Sequence, residues 1–261
     1  MKHISAEHAL SFVKALELPA PRGYDELLGD KTVKPVEYGF DTAKNQAMVV
    51  GSDIVSFVQG VTPERREDIV NSSLLAQLAA KKKVSDPTKI YDWYNAYFDV
   101  LTNIGWAVQD QGFAEYSESS AGFEAHEAIL SVAAVLLGPG ATTLAIIKAT
   151  LDALKSMSTD SPWITLFNRE SQSAHTARFQ VTLAEQSSDD QFLVSLMAFG
   201  LEAKAALTQV LFFKFHSNEA SLKHYSGKVT INAHVLASVR DAIKNKLAGF
   251  AKDYVEALPP L

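Results

Sequence analysis

The sequence contains no cysteine among its 261 residues. This absence excludes a disulfide framework, a thiolate nucleophile and any zinc or iron–sulfur site that depends on cysteine ligands. A strongly basic character is missing as well, since the formal net charge is −6 and the sequence pI is about 5.6. The chain therefore lacks the electrostatic signature of nucleic-acid binding, and we expect no nucleic-acid partner.

The motifs that identify several large enzyme classes are also missing: the nucleophile elbow, the P-loop and the dinucleotide-binding fingerprint. Seven histidines are present, but only His126 begins a zincin-like pattern, and Leu130 stands where the second histidine is required. We therefore expect no metal and no cofactor, and we favour a protein without enzymatic activity. The alternative that stays open is an enzyme on an unfamiliar helical scaffold that uses Glu124, His126 and Glu127.

The first 26 residues lack the continuous apolar stretch of a signal peptide, because the apolar residues Leu10, Val13 and Leu16 are spaced apart and Lys14 lies among them. We therefore expect synthesis in the cytoplasm without a signal peptide, followed by release or membrane association. The composition, with 47% hydrophobic and 21% charged residues, is typical of a folded globular protein. A single domain over residues 1–261 accommodates this length.

The first part of the chain, about residues 1–160, favours helices. Thr62-Pro63 and Asp86-Pro87 each combine an N-cap residue with a proline at the first helical position. The spacing of apolar residues predicts a further helix over 41–59. The dense aromatic residues of 91–113 predict a helix that packs centrally.

The pattern changes in the second part, about residues 161–261. Alternating or β-branched segments predict strands at residues 178–183, 192–198, 209–215 and 228–231. A helical stripe predicts a last helix from residue 232 or 233 to residue 258. The expected fold is α+β and mainly helical, with a small C-terminal antiparallel sheet packed among the helices and a central apolar helical hairpin.

That hairpin is predicted from a run without any charge over residues 128–147, AILSVAAVLLGPGATTLAII. A bilayer-spanning helix needs about 20 apolar residues, but Gly138-Pro139-Gly140 divides this run into two short arms. We therefore predict helices over about 123–137 and 141–157, joined by a tight turn. Two interpretations stay open: a hairpin of the core, or an element that inserts into membranes.

A second apolar block covers residues 192–215 and carries only three charges, on Glu202, Lys204 and Lys214. Within it, Phe199 and Gly200 form a notch where a large side chain adjoins a residue with none. Such a notch admits a lipid chain or a ligand, and it equally suits close contact with another element of the fold.

The segments AILSVAAVLLGPGATTLAII and MAFGLEAKAALTQVLFFKF resemble those of the Evf-type bacterial virulence factors, which help plant-pathogenic bacteria persist in an insect gut. This resemblance implies a mixed α/β fold and membrane association through a fatty acid carried on one cysteine. The present chain has no cysteine, so thioester acylation is excluded and any lipid role is non-covalent. Gly200 is the position where the resemblance leads us to look for the lost attachment point.

The preferred hypothesis, given this resemblance, is a bacterial, non-enzymatic virulence or toxin-like protein that is made in the bacterial cytoplasm and associates with membranes or lipids through the apolar hairpin. Its expected partner is a membrane or a fatty-acyl ligand, and the sequence identifies no protein partner. A protein-interaction or self-assembly module is the second alternative. The residues expected to contact membrane or lipid are Leu130, Val135, Leu136, Leu137, Gly138, Pro139, Gly140, Leu144, Ile146, Ile147, Phe199, Gly200 and Phe212.

Overall fold

The computed structural model describes residues 4–21, 35–108, 112–116, 122–186, 192–212, 214–216 and 219–259. The helices within these ranges are α1 (Ala6–Ala15), α2 (Pro63–Lys83), α3 (Ile90–Asn103), α4 (Ala125–Leu137), α5 (Thr142–Ser156), α6 (Pro162–Ser171), α7 (Ala233–Leu247) and α8 (Ala251–Tyr254). The strands are β1 (Gln46–Val50), β2 (Asp53–Phe57), β3 (Trp106–Ala107), β4 (Ala114–Glu115), β5 (Gly122–Glu124), β6 (Thr176–Gln186), β7 (Phe192–Ala203), β8 (Lys214–His216), β9 (Ala220–Ile231) and β10 (Val255–Ala257).

A mixed sheet of eight strands forms the middle of the molecule, in the order β10-β1-β2-β6-β7-β9-β3, with β4 also paired to β9. Strands β2 and β6 are parallel, with Ile54 opposite Val181. The other pairings in this sheet are antiparallel. The predicted fold class is therefore wrong, because the protein is not mainly helical with a small C-terminal sheet.

The main source of this error is residues 41–59, which were predicted to be helical and instead form the β1–β2 hairpin. Every residue of β2, and all of β1 except Gln46, is buried. Strands buried on both faces show apolar runs rather than alternation, and such runs also fit a helical spacing. The turn is set by Gly51, whose φ of +58° suits glycine and whose Cα faces the Gln77 side chain too closely for a Cβ.

The two faces of the sheet carry two separate apolar cores. Side chains alternate along each strand, so Met48 and Val50 enter the first core while Ala47 and Val49 enter the second. Helices α1, α2, α3 and α7 cover the first face, and α4, α5 and α6 cover the second. The described residues thus form three layers, with the sheet between two groups of helices.

Helix α2 is the most enclosed helix of the first layer, since every residue from Asp68 to Ala80 is buried. Helix α3, whose aromatic residues predicted a central position, leaves Asp92, Asn95 and Asp99 exposed along one side. The sequence does not indicate that α2 is so deeply enclosed. Its buried polar residues interrupt the apolar stripe by which buried helices are normally identified.

The remaining differences concern the C-terminal part. Of the predicted strand at 209–215, only residues from Lys214 onward are extended, and β8 pairs with β5 in a separate two-stranded sheet. Phe213 lies outside the described residues. The predicted short edge strand at 228–231 is the end of the long strand β9, which lies inside the sheet beside β7. The last helix ends at Leu247, before the single turn of α8 and strand β10.

Candidate functional site

The uncharged run forms two antiparallel helical arms, α4 and α5, joined by a glycine–proline turn. Helix α4 ends at Leu137, where the Gly138 amide donates to the Ala134 carbonyl oxygen at 3.0 Å. Gly138 and Gly140 have φ values of +99° and +86°, which residues with a Cβ rarely adopt. These two glycines therefore allow the chain to reverse within residues 138–141.

One face of this hairpin belongs to the second core. Ala128, Ile129, Val132 and Ala133 of α4 pack there with Ile146, Ile147 and Leu151 of α5, and all of these side chains are buried. The hairpin lies against the second face of the sheet, where Phe179, Val181 and Leu183 of β6 complete the core. Ile146 and Ile147 therefore contact the protein interior in this conformation.

The end of the hairpin at the turn, by contrast, presents apolar surface to solvent. Val135 is 86% exposed, and it is the one large hydrophobic side chain that is exposed among the described residues. Leu136 and Leu137 beside it are half-buried, as are Leu130 and Leu144. Pro139 and Gly140 are exposed and Gly138 is half-buried. We call residues 135–140 the hairpin tip.

The notch at Phe199 and Gly200 is filled by protein. Phe199 is fully buried and stacks on Phe179 with ring centroids 4.9 Å apart. A Cβ at Gly200 would lie 2.9 Å from Cγ2 of Ile90 and 3.4 Å from the hydroxyl of Tyr91. Side chains of α3 thus fill the notch that was predicted to admit a lipid chain.

A cavity of about 340 Å³ lies elsewhere, between α1, α2 and α3 on the first face of the sheet. Apolar side chains such as Phe12, Leu16 and Val100 line it, and its rim carries charges of both signs, from Glu17, Lys82, Lys83 and Asp99. This mixture favours neither an anionic nor a cationic ligand.

The base of the hairpin, at the end opposite the tip, is built around His126. Its Nδ1 lies 3.2 Å from Oε2 of Glu124 and 3.3 Å from the Leu211 carbonyl oxygen, and its Nε2 lies 3.3 Å from Nζ of Lys155. Phe212, the remaining predicted contact residue, is half-buried with its ring 5.3 Å from the imidazole.

This arrangement does not favour the enzyme alternative, because both imidazole nitrogens of His126 have protein partners. A general base needs a nitrogen within hydrogen-bond reach of a substrate proton. Glu127, the third residue of the predicted catalytic group, is exposed on α4. The alternative remains a prediction without a catalytic geometry to support it.

Sequence reasoning missed a second polar cluster, which lies between α2 and the sheet around Asp53. Oδ2 of Asp53 accepts hydrogen bonds from Oγ of Ser73 at 2.7 Å and from Oγ1 of Thr182 at 2.9 Å. Oδ1 has no partner, and the side chain is fully buried. Burial raises the pKa of Asp53 to about 6 despite those two hydrogen bonds.

Carboxyl groups with a raised pKa are enriched at functional sites. Asp53, however, has no exposed surface through which a substrate would reach it. Its hydrogen bonds join β2 to α2 and to β6, so we assign it a structural role. Burial also raises the pKa of the neighbouring Tyr97, so this tyrosine stays neutral beside the carboxyl group.

Asp53→Asn tests this assignment through the pH dependence of stability. The folded-state pKa of about 6 lies above the unfolded value of about 3.9, so the folded protein binds more protons between these values. The contribution of Asp53 to the unfolding free energy is therefore fully present below about pH 4 and decreases as the pH rises through 6. We expect the stability of Asp53→Asn relative to wild type to increase by about 2 kcal/mol between pH 4.5 and 7.5.

Urea unfolding at the two pH values measures this difference. Asp92→Asn is the matched control, because Asp92 is exposed on α3, and its stability relative to wild type should not change with pH. Equal differences between Asp53→Asn and wild type at both pH values would show that Asp53 does not titrate as the geometry requires.

No protein-family model and no curated protein matches the sequence. The solved structures that are similar to this one include the following two. A delta-endotoxin is 15% identical, with a TM-score of 0.41, over 73% of this chain and 89% of its own. A structure of the Evf virulence factor is 10% identical, with a TM-score of 0.40, over 95% of this chain and 91% of its own. No activity of this chain follows from either likeness.

Proposed function

We propose that the protein associates with membranes or lipids through the α4–α5 hairpin, in a non-enzymatic role of the virulence or toxin type. The observation that carries the proposal is the hairpin tip, which exposes Val135 within a run of twenty residues that has no charge. The names of the two similar structures agree with a role of this type and say nothing about the membrane step.

The tip alone provides modest affinity. Burying a Val or Leu side chain completely contributes about 1.5–3 kcal/mol, and Leu136 and Leu137 are already half-buried. Transfer of the tip into the apolar part of a bilayer is therefore worth about 4 kcal/mol. A single myristoyl chain, which contributes somewhat more, gives only reversible binding. In the described conformation, the hairpin is thus suited to reversible contact with a lipid surface.

Neither arm is long enough to span a bilayer. With 13 and 15 residues, α4 and α5 extend about 20 and 22 Å, whereas the hydrocarbon core is about 30 Å thick. Among the described residues, no helix combines the length and the apolarity that crossing a membrane requires. The proposed mode is therefore interfacial or re-entrant, with the tip entering first.

Deeper insertion requires the arms to leave the second core. Ile129 and Ile147 then exchange contacts with the sheet for contacts with lipid, so their own transfer is nearly neutral. The apolar face of the sheet, including Phe179 and Val181, would at the same time lose its cover. Since exposure of this surface to water is unfavourable, we expect the arms to stay on the sheet unless another change releases them.

A fluorescent label at position 135 tests the proposal. Because the chain has no cysteine, Val135→Cys provides a single thiol for an environment-sensitive dye. We expect phosphatidylcholine vesicles to shift the emission of this label to shorter wavelength, and lipid-borne quenchers to reduce it. Both effects follow from entry of the tip into the hydrocarbon region.

The matched control is Ala237→Cys, on the exposed side of α7 and on the opposite face of the sheet. Its label should not respond to vesicles. Equal emission at position 135 with and without vesicles would contradict the proposal. A blue shift at position 135 that grows with protein concentration in the absence of vesicles would instead support self-assembly through the tip.

A further inference from the structure

His126 joins the three chain segments that meet at the base of the hairpin. It lies in the first turn of α4 and is 8% exposed. Its backbone amide donates to the Leu211 carbonyl oxygen at 3.0 Å, and its Nε2 faces Lys155 in the last turn of α5. A hydrogen bond between the side chains of His126 and Lys155 therefore links the two arms at this end.

The contact with Lys155 requires an acceptor on His126. An ammonium group only donates hydrogen bonds, so Nε2 accepts in this contact and the imidazole hydrogen lies on Nδ1. That hydrogen is directed to the Leu211 carbonyl oxygen or to Glu124. Protonation of Nε2 would place two cationic donors 3.3 Å apart and remove the only acceptor between them.

The surrounding charges determine which contact of His126 is lost when its imidazole is protonated. Glu124 lies beside Nδ1 and favours the imidazolium, and it faces Lys214 across the β5–β8 pair. Glu127 on α4 and Asp152 on α5 are exposed, and the segment 205–212 that supplies Leu211 has no titratable side chain. Lys155 is itself exposed and free to turn toward solvent. Protonated His126 therefore keeps its contacts with Glu124 and Leu211, and the link between the arms is lost.

We propose that His126 and Lys155 form an acid-sensitive latch at the base of the hairpin, closed at neutral pH and opened by protonation of the imidazole. Histidine is the side chain whose charge normally changes between about pH 5 and 8. As a regulatory device for membrane contact, the latch depends on the function proposed above. Its opening is nevertheless a property of the protein alone and is measurable without lipid.

Amide hydrogen exchange of the full chain, without vesicles, tests the latch at pH 7.5 and 5.0 after correction for intrinsic exchange rates. We expect the protection of α5 to fall about tenfold at pH 5.0, the effect of losing one charge-assisted hydrogen bond. The protection of α7, on the opposite face, should not fall. Protonation of Asp53 acts on the whole fold and in the opposite direction, since it increases stability at acid pH.

Two variants isolate the contact. His126→Gln retains a neutral acceptor toward Lys155 at both pH values and should lose the fall in protection. Lys155→Met removes the facing cation and should lose it too. His234→Gln, a change at an exposed histidine of α7, is the matched control and should respond as wild type does.

Equal protection of α5 in the wild type at both pH values would overturn the latch, as would a tenfold fall that persists in His126→Gln. If His126→Gln does not fold, a fall that persists in Lys155→Met overturns it equally. Vesicle binding by the Val135→Cys label without any pH-dependent protection would refute the latch alone. A working latch without vesicle binding would refute the membrane function alone.

Discussion

Leu136→Asp and Leu137→Asp are each expected to abolish flotation of the protein with phosphatidylcholine vesicles while leaving it folded. Both residues lie at the hairpin tip and are half-buried, so their change removes apolar surface where lipid contact is proposed. An aspartate costs about 2.5–3.5 kcal/mol at the centre of a bilayer, which corresponds to a loss of affinity of about 60- to 300-fold. The fraction of protein in the floating layer of a density gradient measures this loss.

Leu10→Asp is the control, because Leu10 is a half-buried leucine of α1, on the first face of the sheet. This variant should float as wild type does. Circular dichroism and thermal unfolding establish that each variant retains its fold. Flotation of Leu136→Asp and Leu137→Asp at the wild-type level would show that the hairpin tip does not attach the protein to vesicles.

The second large effect is expected at Arg66, the fully buried arginine in the first turn of α2. Its Nε donates to the Val61 carbonyl oxygen at 2.9 Å, and its Nη2 donates to those of Lys44 at 3.0 Å and Val58 at 3.2 Å. Its Nη1 donates to the side chain of Gln46. Arg66→Ala would remove all of these hydrogen bonds from a buried site, and we expect a loss of about 3 kcal/mol or more in unfolding free energy.

Arg66→Lys separates the charge from the geometry. Lysine keeps the positive charge but lacks the planar fork that reaches several carbonyl groups at once, so an intermediate loss is expected. Lys82→Ala, at an exposed lysine of the same helix, should change the unfolding free energy by less than about 0.5 kcal/mol. A loss below about 1 kcal/mol for Arg66→Ala in urea unfolding would show that the buried network contributes little to stability.

Several elements could be predicted because local chemistry determines them. Thr62-Pro63 predicted the start of α2, and the structure has Thr62 as the N-cap, with its side chain accepting from the Arg65 amide at 3.3 Å. The prediction from Asp86-Pro87 was less accurate. Asp86 accepts a hydrogen bond from the Thr88 amide in a turn, and α3 begins only at Ile90. The two hairpin arms followed from an apolar run divided by a turn that only glycine accommodates.

The sheet was missed because its defining contacts are not local. Strand β2 pairs in parallel with β6, so Ile54 meets Val181 across more than a hundred residues of chain. Burial on both faces removed the alternation that would have identified β1 and β2. Within a segment that looked helical, Asp53 gave no sign of being a buried carboxyl group.

Only part of the candidate site could be predicted from the sequence, again because some of its contacts are not local. The uncharged run and its turn are evident in the sequence. Which face of each arm is buried is not evident, because the arms carry apolar residues on all of their sides. The structure places Ile147 in the core and leaves Val135 exposed. The pairing of His126 with Lys155 arises only when the arms fold back on each other, and neither residue has a motif that indicates it.

Flotation of the unmodified protein with phosphatidylcholine vesicles, at pH 7.5 and at pH 5.0, tests the central claim most directly. The hairpin tip predicts that part of the protein rises with the vesicles at neutral pH and that a larger part rises at acid pH, where the latch is open. Protein that stays entirely at the bottom of the gradient at both pH values would contradict membrane association through the hairpin.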